Sequence, residues 1–403
     1  MKGVPTVRKL DEFLQQLLKP TEKIVDKQLS RFTSPGENYV SVLLRIVIKI
    51  EDTKTRNERT IDSVAKLVPE TELVEGLFEI NQTVGAEFHY YHSIVPAFDK
   101  FLKSQGFPEG ADFAVQFYCG RLGLTDPKKA DKDGIILLKN LRNDGYYVGA
   151  SKFEGLDLAS TKVVLDSLAK FHAAGIGYRY YYPDSFEEKL KLYIYTFNPE
   201  HLASIVFTTL IHTLEVSNEF SKEEIETIKA MYSSDHKNFD KNLISDVWRT
   251  MIHSDIWTNN IIIKYVKSEP VQAKLIDFQF YDYGTPSNDV IFFLLTSIKQ
   301  SILEDQLDDL LDYYYKTLLK NLKKMDVIEE KFSKESFNEE IKLAMKNKEY
   351  FHILWMSQPL MEESFSNVGA LKDQHPNQFL EWTEEHVYKV KYISRLCLER
   401  GWF

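Results

Sequence analysis

Residues 251–265, MIHSDIWTNNIIIKY, set an aspartate and two asparagines, Asp255, Asn259 and Asn260, between an aromatic-containing turn and a run of β-branched residues. A third acid, Asp277, follows in LIDFQ after the NIIIKY run and a KSEP turn. If NIIIKY and AKLIDF pair as a hairpin, Asp255 and Asn260 at its entrance and Asp277 at its exit face one cleft. Hard cations such as Mg²⁺ take few protein oxygens and leave their other positions to water and phosphates, so one amide and one carboxylate suffice. A further carboxylate can accept the proton of an attacking hydroxyl, and this combination describes phosphoryl transfer. Taken singly, each residue has a plainer reading as a turn cap or strand end. Their order around an intervening strand favours the chemical one.

The elements that would position these residues follow from periodicity. Residues 6–29 carry Leu10, Phe13, Leu14, Leu17 and Leu18 at helical spacing, which predicts an amphipathic opening helix. Pro35 and Gly36 mark a turn before a β-rich run over Val40–Ile50, and SVAKLVP reads as a second strand. A helix over Val84–Leu102 presents Phe88, Tyr91, Val95, Phe98 and Leu102 on one face, bent or divided at Pro96. FAVQFYCGRL and GIILLKNL add two strands around a polar loop. Beyond Leu141 the pattern turns helical, with LASTKVVLDSLAKFHAAG, a Ser221–Glu224 capping box, and a mainly helical stretch from Asn288 to Phe403. The charge run Lys320–Lys342 reads as a solvated helical face. We expect an α+β architecture: a small β-rich lobe over 1–140 and a large, mostly helical lobe over 141–403.

Composition narrows the function classes. The chain has 403 residues, 43% hydrophobic and 13% aromatic, which suits a folded globular protein of two or three lobes. A net charge of −10 disfavours a nucleic-acid binder, which would concentrate a basic face. Cys119 and Cys397 are the only cysteines, too few for a disulfide framework, and a reducing compartment fits best. MKGVPTVRKLDEFLQQLLKP lacks the apolar core of a signal peptide, and no apolar run approaches the ~20 residues that span a bilayer. These features predict a soluble, cytoplasmic protein without membrane insertion. His89 and His92 lie on one helix without an evident third ligand, so a zinc site is not expected.

The order H-x-D-x₄-N, strand, D-F-x resembles the catalytic and metal loops of the protein-kinase-like superfamily. HSDIWTNN with IDFQ is similar to its small-molecule branch of aminoglycoside and choline kinases, and most similar to the ecdysteroid kinase-like family of arthropods. That resemblance implies a bilobal protein-kinase-like fold and transfer of phosphate from ATP, with Mg²⁺, to a hydroxyl of a small molecule. The implied acceptor is an ecdysteroid or another hydroxylated metabolite or xenobiotic met in detoxification. It also implies roles: Asp255 as catalytic base, His253 bracing its loop, Asn260 and Asp277 holding Mg²⁺, and Trp257 packing.

A kinase-like fold needs a strand lysine that reaches ATP phosphates and a helix glutamate that holds it. Lys66, between the apolar Val64 and Val68, and Glu87, in EFHYY, have the right order and element types. SPGENY resembles the family's phosphate-covering turn and implies Gly36, Glu37, Asn38 and Tyr39 near the nucleotide. IILLKNL falls at the lobe junction, where Leu138 and Asn140 would meet adenine through the backbone, with Lys139 and Asn140 replacing the family's usual acidic pair. Ser254 stands where glycine is commoner and can narrow the catalytic turn. Asp289 matches an acid that braces the catalytic loop, although helix capping is an equal alternative. His172 also matches a family signature and is read as structural. Two other readings stay open, a choline- or aminoglycoside-like kinase and a kinase-fold protein that binds without transfer. Oligomeric state is not legible.

Overall fold

The computed structural model describes residues 4–32, 42–68, 80–150, 154–190, 200–235, 245–327, 329–357 and 382–403. Its N-terminal sheet contains β1 (Glu22–Arg31), β2 (Val42–Asp52), β3 (Glu58–Leu67), β4 (Phe117–Arg121) and β5 (Ile135–Lys139), ordered β1-β2-β3-β5-β4 with antiparallel pairing throughout. Strand alternation sorts its side chains into two faces. Leu44, Ile46, Ile48 and Ile50 of β2 join Ile61 and Ala65 of β3 and Ile135 and Leu137 of β5 on the outer face, under Phe13 and Leu14 of α1 (Leu10–Leu14). Val64 and Lys66 of β3 pair with Leu138 and Ile136 of β5 and lie on the inner face.

The opening segment corrects our expectation of one helix over 6–29. Helix α1 is five residues long, a 3₁₀ turn follows over Gln15–Leu17, and β1 begins at Glu22. Pro20 cannot continue a helix. Beyond it the chain alternates between half-buried and exposed positions and pairs with β2, with one register shift between Ile24 and Asp26.

Helix α2 (Ile80–His89) runs through a π turn, Tyr90–Ile94, into α3 (Val95–Ser104). The wide turn precedes Pro96, whose ring would otherwise collide with a carbonyl one turn back. Helix α3 does not stay with the sheet, because Phe98 and Phe101 pack against Phe171 and Tyr178 of α4 (Leu158–Tyr181).

The helical part comprises α4, α5 (Glu200–Ser217), α6 (Lys222–Asp235), α7 (Pro286–Ser297), α8 (Gln300–Lys324), α9 (Lys334–Ala344), α10 (Tyr350–Ser357) and α11 (Glu384–Glu399). Ser221 and Glu224 form the expected capping box at α6. The charge run from Lys320 is divided between the end of α8 and α9, and Leu322, Phe337 and Ile341 turn its apolar side inward. Strands β6 (Tyr146–Val148), β8 (Ile261–Val266) and β9 (Glu269–Leu275) form one small sheet, and β7 (Thr250–Ile252) with β10 (Asp282–Gly284) another. The architecture is the α+β, bilobal one expected. Among the described residues, no helix is long and apolar enough to cross a membrane.

Gly175 sets how closely α4 can approach β7. A Cβ there would stand 2.1 Å from Thr250 Oγ1 and 3.2 Å from the Met251 nitrogen. Thr250 is buried and donates to the His172 carbonyl at 3.0 Å, so it has little room to yield. We predict that Gly175→Ala destabilises the protein by about 1–3 kcal/mol through overpacking, read as a lower urea midpoint. A midpoint at or above wild type would contradict this packing.

Candidate active site

The site is built where two short β-pairs hold loops against a buried helix. Strand β7 delivers His253, Ser254 and Asp255, and its pairing of Ile252 with Asp282 fixes where that loop leaves the sheet. A 3₁₀ turn, Thr258–Asn260, then leads into β8, which pairs with β9 as the hairpin expected from the two β-rich runs. The Ile276 N–H donates to the Asn260 carbonyl at 3.0 Å and closes the hairpin's open end. Asn260 and Asp277 are thereby brought to one end of the hairpin.

Asp255 and Asn260 meet directly. The Asn260 amide nitrogen donates to the Asp255 carboxylate Oδ2 at 2.9 Å and to the Asp255 backbone carbonyl at 2.8 Å. Asp255 Oδ1 is buried and has no hydrogen-bond partner. Burial, and then the charge of Asp277, raise this carboxyl well above the ordinary range, while the Asn260 amide and Lys66 work the other way.

On the opposite side, Lys66 Nζ lies 2.6 Å from Glu87 Oε2 and 2.8 Å from Asp277 Oδ1. Burial opposes the Lys66 charge, but Asp277 and Glu87 outweigh it and raise the ammonium pKa. Burial pushes the Glu87 carboxyl up to about 7, against the pull of Lys66 and of a hydrogen bond from Gln279. The Lys66–Glu87 pairing read from order and element type is present as a direct contact. Residue 278 of the D-F-x run acts differently: Phe278 is fully buried, stacked on Tyr90 with ring centres 3.5 Å apart, and 4.3 Å from the His253 ring.

His253 holds the loop with both ring nitrogens. Its Nε2 lies 2.8 Å from the Ile276 carbonyl and its Nδ1 accepts the Asp255 N–H at 3.3 Å, a pattern that assigns the proton to Nε2. Burial lowers its pKa, consistent with a neutral ring. Asp289 settles between the two readings of its position. Thr285 and Asn288 form the capping box of α7, whereas the Asp289 carboxylate accepts the His253 and Ser254 N–H groups at 2.7 and 2.9 Å. It also meets His172 Nε2 at 2.9 Å, and His172 Nδ1 meets the Tyr314 hydroxyl at 2.6 Å. Ser254 has φ 64°, the left-handed region that favours glycine, and its buried hydroxyl has no partner. The bracing carboxylate therefore acts on the strained turn itself.

The remaining site expectations divide. Gly36, Glu37, Asn38 and Tyr39 lie outside the described residues. Leu138 is half-buried on the inner face opposite Val64. Asn140 is buried and turned to Asp62: its N–H bonds the Asp62 carbonyl at 3.1 Å and its side-chain amide donates to the Asp62 carboxylate at 2.9 Å. Trp257 is buried, in keeping with packing, and Asn259 is half-buried. His89 bonds the Lys189 carbonyl at 2.7 Å, and the described residues hold no group of three or more histidines, cysteines and acids suited to a metal. The sequence reading missed Tyr314, Gln279 as a partner of Glu87, and Asp62, to which Arg45, Asn140 and Asn143 all donate.

A hard divalent cation fits the residues present. Asn260 keeps its amide oxygen after its nitrogen is spent on Asp255, and Asp277, at the same end of the hairpin, adds a carboxylate. Oxygen donors alone, with the Asp255 carboxylate close enough for its charge and that of Asp277 to repel, suit Mg²⁺.

The buried lysine makes a stability prediction. Lys66→Met leaves Glu87 buried without its cation and should cost about 3–5 kcal/mol, measured by urea unfolding. Adding Glu87→Gln should restore much of that loss. A single variant within about 1 kcal/mol of wild type would show that the pair is not structurally coupled.

The chain is similar to known proteins at two levels. In solved structures it is similar to a Plasmodium vivax ethanolamine kinase, at 11% identity and a TM-score of 0.35, with 94% of this chain and 84% of that one covered. For the choline kinase LicA from Streptococcus pneumoniae the figures are 13% and 0.42, with 97% and 98% covered. For wild-type aminoglycoside 2'-phosphotransferase-IIIa, seen as a GDP complex, they are 10% and 0.44, with 97% and 99% covered. Likenesses this distant carry no part of the functional reading. No curated protein sequence matches the chain. The profile of the ecdysteroid kinase-like family matches residues 35–327, a span that takes in Lys66, Glu87, and His253 through Asp277, and the chain therefore belongs to that family.

Proposed function

We propose that the protein is a small-molecule kinase that transfers the γ-phosphoryl group of ATP to a hydroxyl of its acceptor. The observation that carries this reading is the convergence of Lys66, Glu87 and Asp277 in one ion-pair cluster, with Asp255 and Asn260 hydrogen-bonded beside it. Family membership adds the acceptor class: a hydroxylated small molecule, with an ecdysteroid as the leading candidate.

Asn260 and Asp277 would hold Mg²⁺, and Lys66, already held by Glu87, would meet the phosphates. Bound Mg·ATP supplies the phosphoryl group and neutralises the charge that builds on the departing ADP. Asp255 supplies the base. Asn260 fixes Oδ2, so the unpartnered Oδ1 is the oxygen that takes the hydroxyl proton as the new oxygen–phosphorus bond forms and the bond to the β-phosphate oxygen breaks. His253, with both nitrogens engaged, positions Asp255 and exchanges no proton with substrate.

The test is incubation with Mg·ATP and a panel of hydroxylated steroids, plant glycosides, choline and aminoglycosides, read as a phosphate mass shift. We expect a phosphorylated hydroxysteroid or related alcohol, and a turnover lower by roughly 10²–10⁴ in Asp255→Asn with nucleotide binding retained. Undiminished turnover in that variant would overturn the assignment of the base. A product formed only from choline or an aminoglycoside would move the acceptor to a cationic class.

A further inference from the structure

A cavity of ≈ 270 Å³ opens beside the lobe junction, lined by Gln116, Lys139, Asp144, Tyr146, Lys264 and Lys274 together with Leu141. It is separate from the active site. Lys66 pairs with Ile136, so alternation along β5 puts Lys139 on the other face of the sheet, and Lys66, Asp255, Asn260 and Asp277 are absent from the lining. Three ammonium groups face one carboxylate.

The cation at its wall is short of compensation. Lys274 Nζ donates to the backbone carbonyls of Asp112 at 2.7 Å and Ala114 at 2.8 Å, which leaves its third N–H to offer. It makes no carboxylate ion pair among the described residues: the nearby Asp112 carboxylate is engaged by Lys170 at 2.5 Å and by the Gln272 amide at 3.0 Å. Burial pushes Lys274 down to about 8 against the pull of Asp112, and Lys139 and Lys170 push the same way. Lys264 likewise has no carboxylate partner among the described residues. Its ammonium and that of Lys274 each lie 5.8 Å from the Tyr146 ring centre. Lys139 holds Asp144 at 2.8 Å, the one acid of the lining. A half-buried group of cations that exceeds its acids is costly unless an anion completes it.

We propose that this cavity is a second, anion-binding site that takes a phosphate-class dianion, an inorganic phosphate or a phosphomonoester, between Lys139, Lys264 and Lys274. Lysine ammoniums bind such oxyanions as point charges, and the Gln116 amide and the spare Lys274 proton supply directed donors. The ligand would join parts of the chain that meet nowhere else in the cavity wall. Lys139 ends β5 at the junction, whereas Lys264 and Lys274 lie on the hairpin whose open end carries both Asn260 and Asp277. Occupancy would tie the junction to that hairpin, whatever acceptor the active site takes.

Inorganic phosphate, titrated against sodium chloride at matched ionic strength, is the probe, and the melting temperature of the full chain is the readout. We expect a saturable rise in wild type whose half-saturation concentration increases about tenfold or more in Lys264→Gln and in Lys139→Gln. Both side chains are partly exposed, so both variants should fold with near wild-type melting in chloride. No rise beyond that in chloride would overturn the proposal. The same titration curve in wild type and both variants would also overturn it, because phosphate would then be binding elsewhere.

Discussion

Lys66 joins two stretches of chain that the sequence separates by 211 residues, through a 2.8 Å contact to Asp277. Its other partner, Glu87, comes from α2, so one ammonium fixes strand, helix and hairpin end relative to each other. All three groups lose water on folding, and each charge is tolerable only because the others are present. Phe278, one residue beyond Asp277, adds the apolar half of the same junction by stacking on Tyr90 of the π turn. Asp277 sits at φ 67°, in the left-handed region, between these ionic and aromatic contacts.

Asp255, the proposed base, is held by a different logic. Asp255 follows a left-handed Ser254, and Asp289 captures the backbone N–H groups of His253 and Ser254. Asp289 is itself held by His172, and His172 by Tyr314, so the loop rests on a buried polar chain that crosses α4, α7 and α8. Such a chain is sound only when every member is satisfied. Two buried atoms of the loop stay without a partner, the Ser254 hydroxyl and Asp255 Oδ1, the oxygen proposed to take the proton.

Much of this was legible because the polar residues interrupt strongly apolar runs. Asp255, Asn260 and Asp277 stand at the ends of a hairpin whose β-branched residues announce it, and Lys66 is conspicuous between Val64 and Val68. The opening strand was not legible, since Leu10, Leu14, Leu17 and Leu18 fit a helix and only Pro20 warns that it stops. Partners distant in sequence were also hidden. Nothing local marks Tyr314 as the support of His172, or Asp62 as the acceptor that occupies Asn140. Asp289 was ambiguous because the first turn of a helix suits an acid whether or not it reaches a neighbouring loop. The Asn140 backbone N–H, which sequence order placed near a nucleotide, is engaged with the Asp62 carbonyl.

If Asn260 and Asp277 form a divalent-cation site serving a nucleotide, as proposed, nucleotide binding depends on Mg²⁺. Calorimetric titration of ATP into the wild-type protein, with Mg²⁺ and then with a chelator, addresses it without knowledge of the acceptor. We expect saturable binding that is tighter with Mg²⁺ by at least about tenfold, or 1.4 kcal/mol. Binding of equal strength in the chelator, or no binding in either condition, would contradict it.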